Sequence, residues 1–169
     1  LPHDWVYEFF GSSQPPSVND RFRLLVSLAH LGRFAEAAAH EAEAIRLAGP
    51  THHAYTVGLA YHAASTLHLV KGDWATAHVL IERQIDVLRT GNIVGELPTA
   101  LAYSARALAY LGDAAEALNR LRECEQLLEG QSARGRVGNG WACYSLGRAC
   151  LLLGRLDEAL EEITLAQSL

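Results

Sequence analysis

The chain has 169 residues and a formal net charge of −5, the size of one ordinary domain and a poor match to a basic nucleic-acid-binding surface. Half of the residues are hydrophobic, much of that alanine, and 8% are aromatic, which suits close-packed helices better than a core of β-branched and aromatic strands. No apolar run reaches the roughly 18 residues of a membrane span, because the longest candidate, Ala142 to Leu153, contains Arg148, and no signal peptide is visible; a cytoplasmic protein with neither nucleic acid nor membrane as a partner is expected.

Residues 1–16 read as a flanking segment, with a short helix expected around Trp5 to Phe10. Ser17 follows Gln14-Pro15-Pro16 and stands three residues before Asp20. That is a hydroxyl cap with an acid in the first turn, so a helix is predicted from Ser17 to Leu31. Its apolar residues Val18, Phe22, Leu25, Leu28 and Ala29 share one face. A second helix is predicted from Phe34 to Leu47, closed by Gly49-Pro50. Thr51 is expected to cap the next helix, about His52 to Val70, and Asp73 to occupy the turn before Trp74 to Leu88. Gly91-Asn92 breaks the chain, and Pro98 falls in the first turn of a helix ending near Leu111. Ala114 to Leu128 pairs with that helix. Gly130 to Gly140 is the longest break, and a last pair is predicted from about Trp141 to Leu153 and from Leu156 onward.

Between the members of each pair stands one phrase, four times over. It reads Leu31-Gly32-Arg33-Phe34-Ala35-Glu36-Ala37, Lys71-Gly72-Asp73-Trp74-Ala75-Thr76-Ala77, Leu111-Gly112-Asp113-Ala114-Ala115-Glu116-Ala117 and Leu153-Gly154-Arg155-Leu156-Asp157-Glu158-Ala159. The glycines recur at intervals of 40, 40 and 42 residues, a period that signals stacked supersecondary units. Glycine ends the first helix because it enters the left-handed region without steric cost. The large residue that follows (Phe34, Trp74 or Leu156) is expected to anchor the turn between the helices, with a weaker anchor at Ala114. The closing alanines, Ala37, Ala77, Ala117 and Ala159, are expected where two helices cross closely.

This phrase resembles the tetratricopeptide repeat, which pairs a glycine–aromatic turn with a small residue early in the second helix. The resemblance covers nearly all of residues 17–169. It departs at Leu25 and Gln84, where small residues are expected, and in a period longer than the usual 34 or so. It implies an all-α fold, an α-α superhelix (solenoid) of four helix-turn-helix repeats with a period of about 40 residues. The units are about 17–49, 51–90, 93–129 and 134–169, stacked in a right-handed sense. The phrasing also resembles the C-terminal arms of bacterial multidomain signalling proteins, either fusions of a class III nucleotide cyclase with an AAA-type ATPase or ATPase-type transcription activators. That likeness implies a regulatory arm whose catalytic parts lie elsewhere in a parent protein. With Leu1 at the start and an uncapped last helix, neighbouring segments are expected on at least one side.

No residue set predicts catalysis. Eight histidines are present, but His40-Glu41 is followed by Ala44 where a zinc helix would place its second histidine, so no metal is expected. Gly135, Gly138 and Gly140 follow a helix and lack a Lys-Ser/Thr pair, so they read as a loop and not a nucleotide site. Cys124, Cys143 and Cys150 form no CxxC pair and read as reduced packing residues. The acids of the second helices read as a solvated face. No cofactor is expected.

Function is therefore sought on the first helices, which line the concave groove in tetratricopeptide arrays. The resemblance carries that role to Asn19, Phe22, Val26, Ala29 and His30, then to Leu59, His62, Thr66, Leu69 and Val70. In the later units it falls on Thr99, Ala102, Arg106, Ala109 and Tyr110, then on Trp141, Tyr144, Arg148, Leu151 and Leu152. The candidate binding residues are His30, His62 and Thr66 in an apolar first half, and Arg106, Tyr110, Trp141, Tyr144 and Arg148 in a second half rich in the residue types of binding hot spots. The expected role is a non-catalytic protein-interaction or regulatory arm binding a protein or peptide segment, including segments of its own parent. The alternatives are a sensor of a small anionic ligand and a self-association module forming a homodimer.

Overall fold

The computed structural model describes residues 3–129 and 140–168. Among them are eight α-helices, two short 3-10 helices and no strand. The helices are α1 Pro16–His30, α2 Phe34–Ala48, α3 Ala54–Lys71, α4 Trp74–Thr90, α5 Leu97–Leu111, α6 Ala114–Glu129, α7 Gly140–Leu152 and α8 Leu156–Ser168. They form the four pairs expected from the sequence. The chain divides into two compact units, Leu1–Ile93 and Val94–Leu169, each holding two pairs. The loop glycines Gly135 and Gly138 lie outside the described residues.

All four turns are built alike. Gly32, Gly72, Gly112 and Gly154 have φ of 74°, 84°, 84° and 75°, a region that costs any residue with a Cβ about 1–2 kcal/mol. The next N–H then reaches back five residues. Arg33 donates to Leu28 O at 2.9 Å, Asp73 to His68 O at 2.9 Å, Asp113 to Leu108 O at 3.0 Å and Arg155 to Cys150 O at 2.9 Å. This closure satisfies carbonyls that a helix end leaves unpaired. The carbonyl of that same residue accepts the N–H of the closing alanine, at 3.0 Å in each of Ala37, Ala77, Ala117 and Ala159. One residue thus ends one helix and starts the next.

The N-termini of the second helices are completed in two ways. Asp73 and Asp113 act as side-chain caps, accepting from Thr76 N at 3.3 Å and Glu116 N at 3.2 Å. Arginine cannot accept, and Arg33 and Arg155 instead donate through Nε to Glu36 at 2.7 Å and Glu158 at 2.8 Å. Each pair keeps a carboxylate in the first turn, where the helix dipole favours it.

Three local expectations are corrected. Ser17 is not the cap of α1: its hydroxyl donates to Val6 O across eleven residues and ties the 3-10 helix His3–Tyr7 to α1. Thr51 does not cap α3 either. It donates to Ala48 O at 2.6 Å and accepts from His53 N at 3.3 Å, finishing the 3-10 turn Gly49–Thr51. The short N-terminal helix stops at Tyr7 and not at Phe10, because Phe10 and Gly11 turn left-handed with φ of 48° and 77°. Pro98 does fall in the first turn of α5.

In the first unit α3 packs on α1, α2 and α4. One core cluster joins Leu25, Leu28, Ala29 and Ala37 to Ala63 and Leu67 of α3, with Phe22, Val26 and Phe34 against it. A second joins Val18, Leu47, Ala48 and Ala60, with Val6 of the flanking segment packed on it. At the end of α4, the left-handed position is taken by Asn92 at φ 54°, not by the neighbouring glycine. Gly91 answers a different need: a Cβ there would lie 2.1 Å from Cβ of Ala54 at the start of α3.

In the second unit α5 packs on α6 and α7, and α7 on α8. Ala105, Ala117, Leu121, Leu146 and Ala149 are fully buried. The expected turn anchors hold at Phe34 and Trp74, both half-buried. The anchor at Leu156 does not, since that residue is 63% exposed. Phe34 packs on the cluster that holds Ala63 and Leu67 of α3, whereas no helix among the described residues covers Leu156.

Ala117→Leu is expected to destabilise the protein by about 1–3 kcal/mol through overpacking, while Ala115→Leu, at an exposed neighbouring site, leaves the urea midpoint nearly unchanged. Asp113→Ala removes a cap and should lower stability by about 1 kcal/mol in the same denaturation experiment.

Candidate interaction face

The two units arrange their first-helix residues differently. In the first unit the register positions turn inward. Ala29, Leu59, Thr66 and Leu69 are buried. The Thr66 hydroxyl donates to His62 O at 2.8 Å, so Thr66 serves the helix and is not presented on a surface. The His62 ring stacks on Phe22, centroids 5.7 Å apart and tilted by 38°. Burial lowers its pKa to about 4, so the imidazole is neutral at physiological pH. His30 is exposed in the last turn of α1. At these register positions the first unit therefore offers no fixed charge.

The second unit brings its candidates together. Thr99 and Ala102 are buried, but the positions that differ from the first unit form one cluster. The Arg106 guanidinium lies 5.9 Å from the centre of the Tyr144 ring, within cation–π range. Arg148 Nη2 donates to Tyr110 Oη at 2.8 Å, a bond between α7 and α5. That hydroxyl holds Arg148 more firmly protonated than usual. Trp141 meets Tyr144 edge to face at 6.2 Å. Trp141 is 56% exposed and Tyr144 37%, so the rings form an open platform and not a closed cavity. Two fixed positive groups beside exposed aromatic faces are suited to a carboxylate-bearing chain.

Elsewhere in this unit the chemistry is quiet. Cys124, Cys143 and Cys150 are buried and free. Burial pushes the Cys143 and Cys150 thiols up to about 11, and Cys124 higher still. A thiol so shifted is a poor nucleophile at neutral pH. Between α6, α7 and α8 a cavity of about 150 Å³ is lined by Glu125, Leu128, Glu129, Cys143, Glu162 and Leu165. Burial raises the Glu162 and Glu125 carboxyls above the usual range, while the Cys143 thiol donates to Glu162. This arrangement was not readable from the sequence, because Cys143 and Glu162 meet across a turn. Among the described residues no group of three or more His, Cys, Asp or Glu side chains is placed to hold a metal ion, and no helix is long and apolar enough to cross a membrane.

A family model of the tetratricopeptide repeat matches residues 140–163. That span is α7, the Gly154 turn and the first half of α8, so the match falls on one helix-turn-helix unit and includes three of the five clustered residues. Neither the curated proteins nor the solved structures contain a match to the chain. The fold is that of a tetratricopeptide-like helical repeat, a class whose members generally bind proteins or peptides.

The raised carboxyls set a pH dependence. An acid whose folded pKa is raised contributes stability below its unfolded value, and that contribution is lost as pH rises through the folded value. Glu162→Gln should therefore raise the urea midpoint at about pH 7 and leave it unchanged near pH 4, where Glu162 is protonated. A midpoint that falls at neutral pH would contradict this account of the cavity.

Proposed function

We propose that this chain is a non-catalytic protein-interaction module that holds an acidic segment of a partner protein against the α5–α7 face. The observation that carries the reading is the pairing of Arg106 and Arg148 with Tyr110, Tyr144 and Trp141 on one open surface. Tyr110 orients Arg148, and the remaining guanidinium N–H groups are donors matched to a carboxylate. The aromatic rings supply area at low entropic cost. Their exposure favours an extended chain over an enclosed small anion, so the peptide reading is preferred to the sensor. The likeness of the repeats to arms of bacterial multidomain signalling proteins supports a regulatory role, in which the bound segment belongs to the same parent protein.

Peptide display on the folded protein is expected to enrich segments rich in Asp and Glu. Calorimetry on the best of them should show a loss of about 10- to 100-fold in affinity for each of Arg106→Ala and Arg148→Ala, the range of a charge-assisted hydrogen bond. Unchanged affinity in a folded double variant would sink the proposal.

A further inference from the structure

The first unit breaks the repeat pattern at two inward positions. Four residues before each turn glycine stands the residue whose carbonyl accepts the turn N–H. In three repeats it is a buried leucine or cysteine, Leu28, Leu108 or Cys150. In the second repeat it is His68. Nine residues after the glycine, the second helices carry Ile81 and Leu121, both fully buried, and the half-buried Ile163. In the first repeat that place is taken by Glu41. The two exceptions meet. His68 Nε2 lies 3.2 Å from Glu41 Oε1 and 3.3 Å from Oε2, which joins α3 to α2. The other ring nitrogen, Nδ1, lies 3.2 Å from Asp73 Oδ2 in the turn of the second pair. The His68 and Glu41 side chains are only 14% and 20% exposed.

This arrangement dictates the state of the ring. A carboxylate only accepts hydrogen bonds, and a neutral imidazole has one N–H. With a carboxylate against each nitrogen, only the imidazolium satisfies both contacts. A neutral ring keeps one of them and turns a lone pair toward the other. The two acids are not held alike. Asp73 also accepts from Thr76 N at 3.3 Å, and Thr76, then the ring, hold its carboxyl below the usual range. Among the described residues Glu41 makes no further hydrogen bond or ion pair, so its contact is the one that gives way.

The surrounding elements supply no substitute charge. On α2, Glu36 is bound to Arg33 with His40 beside it, and Glu43 is bound to Arg46. On α4, His78 faces Glu82 at 3.8 Å. Helix α1 meets α3 through Leu25, Leu28 and Ala29, and the 3-10 turn Gly49–Thr51 has no ionisable side chain. Within α3, Lys71 is exposed and His62 stacks on Phe22. The apolar pair that the other repeats favour would hold α2 and α3 at any pH. A largely buried ion pair is weak evidence of extra stability; what it adds is dependence on a proton.

We propose that His68 is a proton-dependent latch between the first two helix pairs: the charged ring ties Glu41 of α2 to the Asp73 turn, and the neutral ring releases Glu41 and loosens α2. The latch uses none of the arginine–tyrosine residues and does not depend on their function. A histidine ring ordinarily exchanges its proton between about pH 5 and pH 8. The Glu41 contact is therefore present below that range and lost as pH rises through it.

Nitrogen-15 spectra of the His68 ring read the switch itself. Both nitrogens should carry protons at about pH 5.5, and Nδ1 alone, facing Asp73, at about pH 8. Amide hydrogen exchange reads its consequence. After correction for the intrinsic pH dependence of exchange, protection along α2 near Glu41 should fall by roughly five-fold from the lower pH to the higher. Glu41→Gln should abolish that fall, because an amide can bond either form of the ring. His68→Leu with Glu41→Leu, which restores the apolar residues of the other repeats, should fold and show no fall either. A ring in the same protonation state at both pH values overturns the proposal. So does protection near Glu41 that ignores pH, or a fall as large in the glutamine variant.

Discussion

A glycine with φ between 74° and 84° turns this chain so tightly that the following residue serves two helices at once. Its N–H closes the helix behind it and its carbonyl opens the helix ahead. Two helices joined through one residue must diverge from a nearly fixed point, and they then meet again at the alanine five positions after the glycine. A side chain larger than methyl there would force the pair apart, which is why Ala37, Ala77 and Ala117 are fully buried. The geometry of each helix pair follows from that junction.

Because the junction is local, most of the fold was legible in the sequence. The four phrases located every helix pair, and Asp73 and Pro98 were read in their observed positions. The misread residues share a cause. Ser17 and Thr51 each stand at a helix start with a hydroxyl, but a carbonyl from another segment or an adjacent turn competes for it. Leu156 sits where Phe34 sits, yet an anchor needs a helix to cover it, and coverage is a tertiary fact. The Gly91–Ala54 approach and the Cys143–Glu162 contact were likewise invisible, since neither has a sequence spacing that marks it.

The candidate face was legible for a different reason. Repeat register converts sequence position into location, so the sequence alone gives Arg106 and Arg148 equivalent places, each six before its turn glycine. What register could not supply was the pattern of partners. Tyr110 meets the arginine of the following first helix, and Arg106 meets the tyrosine of that same helix. The two contacts cross between α5 and α7 and brace them together. In the first unit the corresponding contact is the stacking of Phe22 on His62, a pair without charge at neutral pH. The groove positions of the first unit therefore carry no fixed charge, while those of the second carry two arginines among aromatic rings.

The two ways of starting a second helix sort the four turns by their response to ions. The middle turns close with an aspartate bonded to a backbone N–H within its own turn, a contact between a charge and a dipole and not between two full charges. The first and last carry arginine–glutamate pairs, exposed at Arg33–Glu36 and half-buried at Arg155–Glu158, whose attraction fades as counterions crowd the surface. Ionic strength thus acts as a selective solvent for this chain, softening the helix pairs nearest its two ends while the inner turns keep their grip.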